Sequence, residues 1–136
     1  MLLMAFLKRH TDKESLRNYQ RDRWGRLSRG ETCVIELSGL AANNFRVFRE
    51  RRLFRQERID VIRQRMLTYR PALVVMYGRS AKEDYEKIAG CSFPADNILK
   101  LGFTIIAFAP HPTARGQRDA SWDELGKRLR QEASRP

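Results

Sequence analysis

Apolar positions recur along this chain at two spacings, one helical and one extended, with turn residues between them. Thr11-Asp12-Lys13-Glu14 has the form of a capping box. Leu16, Tyr19, Gln20, Trp24 and Leu27 then follow at helical spacing up to Gly30, with Gly25 as a weak point. Cys33-Val34-Ile35-Glu36-Leu37 predicts a short strand running into the turn signal Ser38-Gly39. The stretch from Ala41 to Phe54 fits a loop that enters a short helix. From Gln56 to Tyr69 the pattern is plainly helical: Ile59, Ile62, Met66 and Tyr69 form an apolar stripe, Arg58, Arg63, Arg65 and Arg70 take other faces, and Pro71 ends the helix.

Ala72 to Tyr77 is an unbroken apolar run, as expected of a central parallel strand covered on both faces. Gly78-Arg79 turns the chain into a helix opened by a second capping box, Ser80 to Glu83, and closed by Gly90. Asn97–Lys100 and Phe103–Ala109, separated by Leu101-Gly102, fit a hairpin whose second member stops at Pro110-His111-Pro112. A last helix is capped by Ser121 with Glu124, and turns Trp122, Leu125 and Leu129 inward. Helices thus alternate with strands. The expected fold is one α/β domain over 1–136, a three-layer α/β/α sandwich with a mainly parallel sheet.

Composition changes this picture chiefly through charge. The chain of 136 residues carries 27 Lys and Arg against 16 Asp and Glu, a net +11. The excess lies in the first half, at +5 over Lys8–Arg29 and +6 over Arg46–Arg70, against +2 over Pro71–Pro136. Such a balance implies a polyanionic partner, nucleic acid ahead of an acidic membrane, because no amphipathic helix shows a large exposed apolar face. Arginine outnumbers lysine 21 to 6, and its planar fork suits phosphate. The apolar Met1–Leu7 lacks the basic flank of a signal peptide and the length of a membrane span, and is expected to pack on the core as a helix or strand. Cys33 and Cys91, with no CxxC spacing, form no metal site; both are expected to be small buried residues in the reducing cytoplasm, and no cofactor is expected.

In such sheets ligands bind outside the carboxyl ends of the strands. That rule selects Ser38-Gly39 with Asn43 and Asn44, then Gly78-Arg79-Ser80, then His111 to Gly116. Ser38-Gly39 is most often only a turn. Gly78 permits close backbone approach ahead of a helix N-terminus, whose free N–H groups suit a phosphate. His111, between two prolines, sits in a rigid turn that would hold its side chain for use.

These segments, Cys33–Asn44 (CVIELSGLAANN), Arg70–Gly78 (RPALVVMYG) leading into a helix, and Thr104–Gly116 (TIIAFAPHPTARG) with a Trp-bearing helix behind, together resemble the later part of the uracil-DNA glycosylase superfamily. Its most specific piece is His111-Pro112-Thr113, similar to that family's His-Pro-Ser motif. The resemblance spans about the last three-quarters of the chain, and implies a family member truncated at its N-terminus. It implies that His111 is the catalytic group that stabilises the departing base anion. It also implies that Ala114 and Arg115 enter the minor groove, and that Gly78, Arg79 and Ser80 pinch the DNA backbone. Extruding a base costs a few kcal/mol and needs phosphate clamps on both sides of a wedge.

The family's first motif, with its water-positioning group, has no counterpart here, and Ser38 stands where the base-reading asparagine is expected, with Asn43 and Asn44 out of register. The resulting expectation is a DNA-binding domain of the DNA-repair hydrolase type, incomplete for base excision. A rival from another class is a non-catalytic nucleic-acid-binding or protein-interaction domain, in which the arginines of Glu50–Arg70 are a solvated face. A third, a hydrolase using His111 with Ser38 as nucleophile, lacks an acid to orient the histidine.

Overall fold

The computed structural model describes residues 1–25, 30–37, 49–112, 114, 116 and 118–135. Its elements are α1 (Leu2–Phe6), α2 (Lys13–Asp22), α3 (Arg49–Tyr69), β1 (Leu73–Tyr77), a 3-10 turn at Arg79–Ala81, α4 (Lys82–Ala89), β2 (Ile98–Leu101), β3 (Thr104–Ala109) and α5 (Asp119–Ala133). The sheet order is β1-β3-β2, with β1 parallel and β2 antiparallel to β3. The sheet is therefore mixed, not mainly parallel. The central strand is β3, whereas β1, the strand expected at the centre, lies at an edge. The difference follows from the hairpin: Leu101-Gly102-Phe103 folds β2 straight back on β3, with Gly102 at φ 59, so a second partner for β3 is supplied locally.

Alternation along β3 divides the core in two. Ile106 joins Ile59 and Met66 of α3, Met76 of β1, and Ile88 and Ala89 of α4. Ile105 and Ala107 point the other way and join Leu2 and Phe6 of α1 and Leu129 of α5. Helices thus cover both faces of the sheet. Each isoleucine of this central strand is about 1% exposed, and such burial is worth roughly 1.5–3 kcal/mol per side chain. Gly126 of α5 allows α1 to settle: a Cβ there would stand 2.3 Å from the Leu2 carbonyl oxygen and 2.8 Å from the Ala5 Cβ.

Several local expectations are corrected. Residues 31–37 form no strand; Val34 and Ile35 are exposed, while Leu37 leans on the core. An apolar run becomes a strand only where a neighbouring backbone takes its hydrogen bonds, and here the Glu36 carbonyl accepts instead from Arg58 Nε at 3.1 Å. The helix expected from Thr11 is α2, and its N-cap is Asp12, whose carboxylate accepts from the N–H groups of Glu14 and Ser15, so the cap lies one residue beyond Thr11. It ends at Asp22, well short of Gly30, ahead of Gly25 at φ 62. Neither Ser80 nor Ser121 caps a helix: α4 has Ala81 at its N-cap and α5 has Arg118, without a side-chain cap in either case. Gly90 does close α4 in the left-handed conformation, φ 82. The long helix starts at Arg49, so its beginning absorbs the expected short one; Tyr69, placed on its apolar stripe, is 78% exposed at the last turn. Both cysteines are exposed rather than buried, Cys33 because its segment lies outside the sheet and Cys91 because it follows the helix-ending glycine.

Candidate functional site at the carboxyl edge of the sheet

Parallel pairing fixes the geometry of the candidate site. Tyr77 and Ala109, the last residues of β1 and β3, are partners in register, so the loops that follow leave the sheet side by side. The Gly78 N–H extends the ladder by one bond, donating to the Ala109 carbonyl at 3.1 Å. Gly78 then adopts φ 114, a conformation that a side chain would strain, and its carbonyl accepts from the Ala81 N–H at 3.2 Å to form the 3-10 turn. Arg79 and Ser80 are exposed on that turn. Across from them Pro110 ends β3, and the Ala114 N–H donates to the His111 carbonyl at 2.9 Å, curling the next turn over.

The fold brings the two turns into contact through a residue that motif reasoning passed over. Tyr77 lies edge to face with His111, ring centroids 5.6 Å apart and planes at 75°. The tyrosine is 37% exposed, and His111 and Pro112 are exposed beside it. Beneath, Tyr85 of α4 donates its hydroxyl to the Tyr77 carbonyl at 2.9 Å. Burial, and then the neighbouring Tyr77, raise the Tyr85 pKa above the ordinary phenol value, so this donor stays protonated. Lys82 Nζ stands 5.8 Å from the centre of the Phe108 ring, adding a cation near the same edge. The signal that would have found Tyr77 was present: an aromatic residue ending an otherwise aliphatic strand, one position before a glycine.

Of the expected site residues, Gly78, Arg79, Ser80, His111, Pro112 and Ala114 are therefore gathered at one edge, Ala114 half-buried. Ser38, Asn43, Asn44, Thr113 and Arg115 lie outside the described residues. Among the described residues no group of three or more His, Cys, Asp and Glu side chains is placed to hold a metal ion, and no helix is long and apolar enough to cross a membrane.

Three arginines of α3, Arg55, Arg58 and Arg63, are engaged within the chain, while Arg65 is exposed. Arg55 pairs with Asp84 of α4, Nε to Oδ2 at 2.6 Å. Arg58 takes the Glu36 carbonyl, and Arg63 donates to the Ile88 carbonyl at 2.9 Å at the end of α4. A hollow between α1 and α2 is lined by Lys8, Arg9, His10, Tyr19, Asp22 and Arg23. Its charge is partly spent internally, since Arg9 and Arg23 both approach Glu31, at 3.0 and 3.6 Å. Compared with known proteins, the chain matches no family model, no curated protein and no solved structure.

Proposed function

We propose that this protein is a DNA-binding domain of the uracil-DNA glycosylase type, which contacts the DNA through the carboxyl edge of its sheet. The observation that carries the reading is the juxtaposition of the Gly78-Arg79-Ser80 turn with His111, set by the parallel register of β1 and β3. A backbone clamp and a base-facing imidazole have to lie close together, and the pairing of Tyr77 with Ala109, which starts both turns side by side, supports that reading. The net charge of +11 supports the same reading, because phosphate neutralisation supplies most of sequence-independent affinity. The resemblance carried by His111-Pro112-Thr113 gives the imidazole its role beside the base; Ser38, in place of an asparagine, leaves base recognition and excision incomplete. The rival protein-docking reading keeps Arg65 and Arg70 as exposed cations but not Arg55, Arg58 and Arg63, which are engaged within the chain.

Binding of labelled DNA across a salt series, by the unaltered protein and by Arg79→Ala and Arg128→Ala, tests the proposal. Affinity should fall steeply with salt, and Arg79→Ala should weaken binding several-fold more than Arg128→Ala, which removes a charge of the same sign from the exposed side of α5. Absence of binding at low salt refutes DNA binding. Equal losses at both positions refute the assignment to this edge.

A further inference from the structure

We infer that the outer face of α3 is a self-association surface, on which a second copy of this chain packs its own α3 antiparallel, across a two-fold axis at Val61. This association needs no DNA, so it stands or falls apart from the reading above. Residues four apart on a helix line up in a ridge. Leu53, Glu57, Val61, Arg65 and Tyr69 follow at that spacing, and all five are exposed. The inner side of the helix is complete without them, since Ile59, Ile62 and Met66 already meet the core. Thus α3 is apolar on two sides, and Leu53 at 64%, Val61 at 36% and Tyr69 at 78% exposure are left outside.

The order of side chains along the ridge selects the partner. It reads apolar, acidic, apolar, basic, apolar, and read backwards it exchanges only the two charges. Two copies run antiparallel therefore set Leu53 against Tyr69, Val61 against Val61, and Glu57 against Arg65 twice. A parallel pair would set Glu57 on Glu57 and Arg65 on Arg65. Residue i meeting j while j meets i is what a two-fold interface requires. Both charges are also unspent, since among the described residues neither Glu57 nor Arg65 is held by an ion pair. On the neighbouring ridge Asp60 accepts from Gln56 Nε2 at 3.2 Å, and with the exposed Gln64 and Thr68 it gives the contact a polar margin. Ridges of this kind lie side by side when helices cross at about −50°, and the stretch from Leu53 to Tyr69 spans about 24 Å. One helix pair is a smaller contact than a standard interface, so the dimer is weak, with a dissociation constant on the order of 10–100 µM.

Sedimentation of the full chain without DNA, from about 10 µM to about 1 mM, tests this. At about 0.15 M salt the Debye length of about 8 Å screens the repulsion between two molecules of +11, but not groups in contact. A monomer–dimer equilibrium is expected. Glu57→Arg and Arg65→Glu should each weaken it at least about 10-fold by setting like charges opposite each other, and the double variant should return close to the unaltered protein. The first change raises the net charge and the second lowers it, so bulk repulsion alone would move the two in opposite directions. Val61→Glu, at the axis, should leave only monomer. All three positions are exposed, so circular dichroism should show an unchanged fold in every variant. A protein that stays monomeric over the whole range, single swaps that shift association in opposite directions, or a double variant no tighter than the singles overturns the inference. None of these results bears on DNA binding.

Discussion

At the scale of single residues, Glu31 shows how the extended segment 31–37 is anchored. Its carboxylate accepts from Arg9 at 3.1 Å, lies 3.6 Å from Arg23, and is approached by the Tyr19 hydroxyl at 3.5 Å, while Arg9 also stands over the Tyr19 ring. The hydrogen bond from Arg9 is the largest cause holding the Glu31 pKa below the ordinary glutamate range. A carboxylate with a depressed folded pKa stabilises the fold above its unfolded value, and that contribution is lost as pH falls through the folded one. Glu31→Gln should therefore lower the melting temperature at neutral pH. The gap to the unaltered protein should close as acid takes the pH below the usual glutamate value of about 4.3. Thermal melts at neutral and acid pH check this; a gap that stays constant or widens in acid would show that Glu31 acts by packing instead.

At the scale of elements, the packing of α1 on α5 depends on one missing side chain. A Cβ at Gly126 would meet the Leu2 carbonyl oxygen and the Ala5 Cβ, and a backbone atom cannot swing away as a flexible side chain can. Alanine at a helix interior normally gains up to about 1 kcal/mol over glycine, but overpacking of this kind costs roughly 1–3 kcal/mol. Gly126→Ala should therefore destabilise the protein in denaturant titration, with faster amide exchange in Leu2–Phe6; a stabilised variant would mean that α1 does not dock as described.

The same elements show what the pattern of residues could convey. Hairpin, long helix and terminal helix were legible because each is set locally, by turn residues and by periods of two and 3.6. The strand expected at Cys33–Leu37 was misplaced because a run of β-branched residues specifies only a preference for extension. Whether a neighbour takes its hydrogen bonds is a tertiary matter, and Arg58 takes one of them. The edge position of β1 was hidden for a like reason: Leu73–Tyr77 is apolar on both faces, which reports burial by helices on either side but says nothing of the strand order. The rule of strand ends selects His111 and Gly78-Arg79-Ser80, and the register of β1 with β3 brings them to one edge. In the sequence Tyr77 reads only as the end of a strand, and its ring contact with His111 becomes visible through the register with Ala109.

At the scale of the whole molecule, the two ends of the sheet differ. The carboxyl edge gathers Tyr77, Arg79, Ser80 and His111. The other end of β3 is where α5 finishes: Lys100, paired with Ile105 near the start of β3, donates its ammonium to the Arg135 carbonyl, and Arg135 itself pairs with Glu132. In the proposed reading, long-range attraction by the net +11 draws DNA without choosing an end, and the local chemistry of the carboxyl edge makes the choice. The most direct measurement is nuclear magnetic resonance of the labelled protein titrated with a short DNA at low salt. The amide signals of Gly78, Arg79, Ser80 and His111 should move together and return as salt is raised, while those from Arg128 to Ala133 stay in place. Movement confined to the end of α5, or spread evenly over every basic surface, would contradict the account.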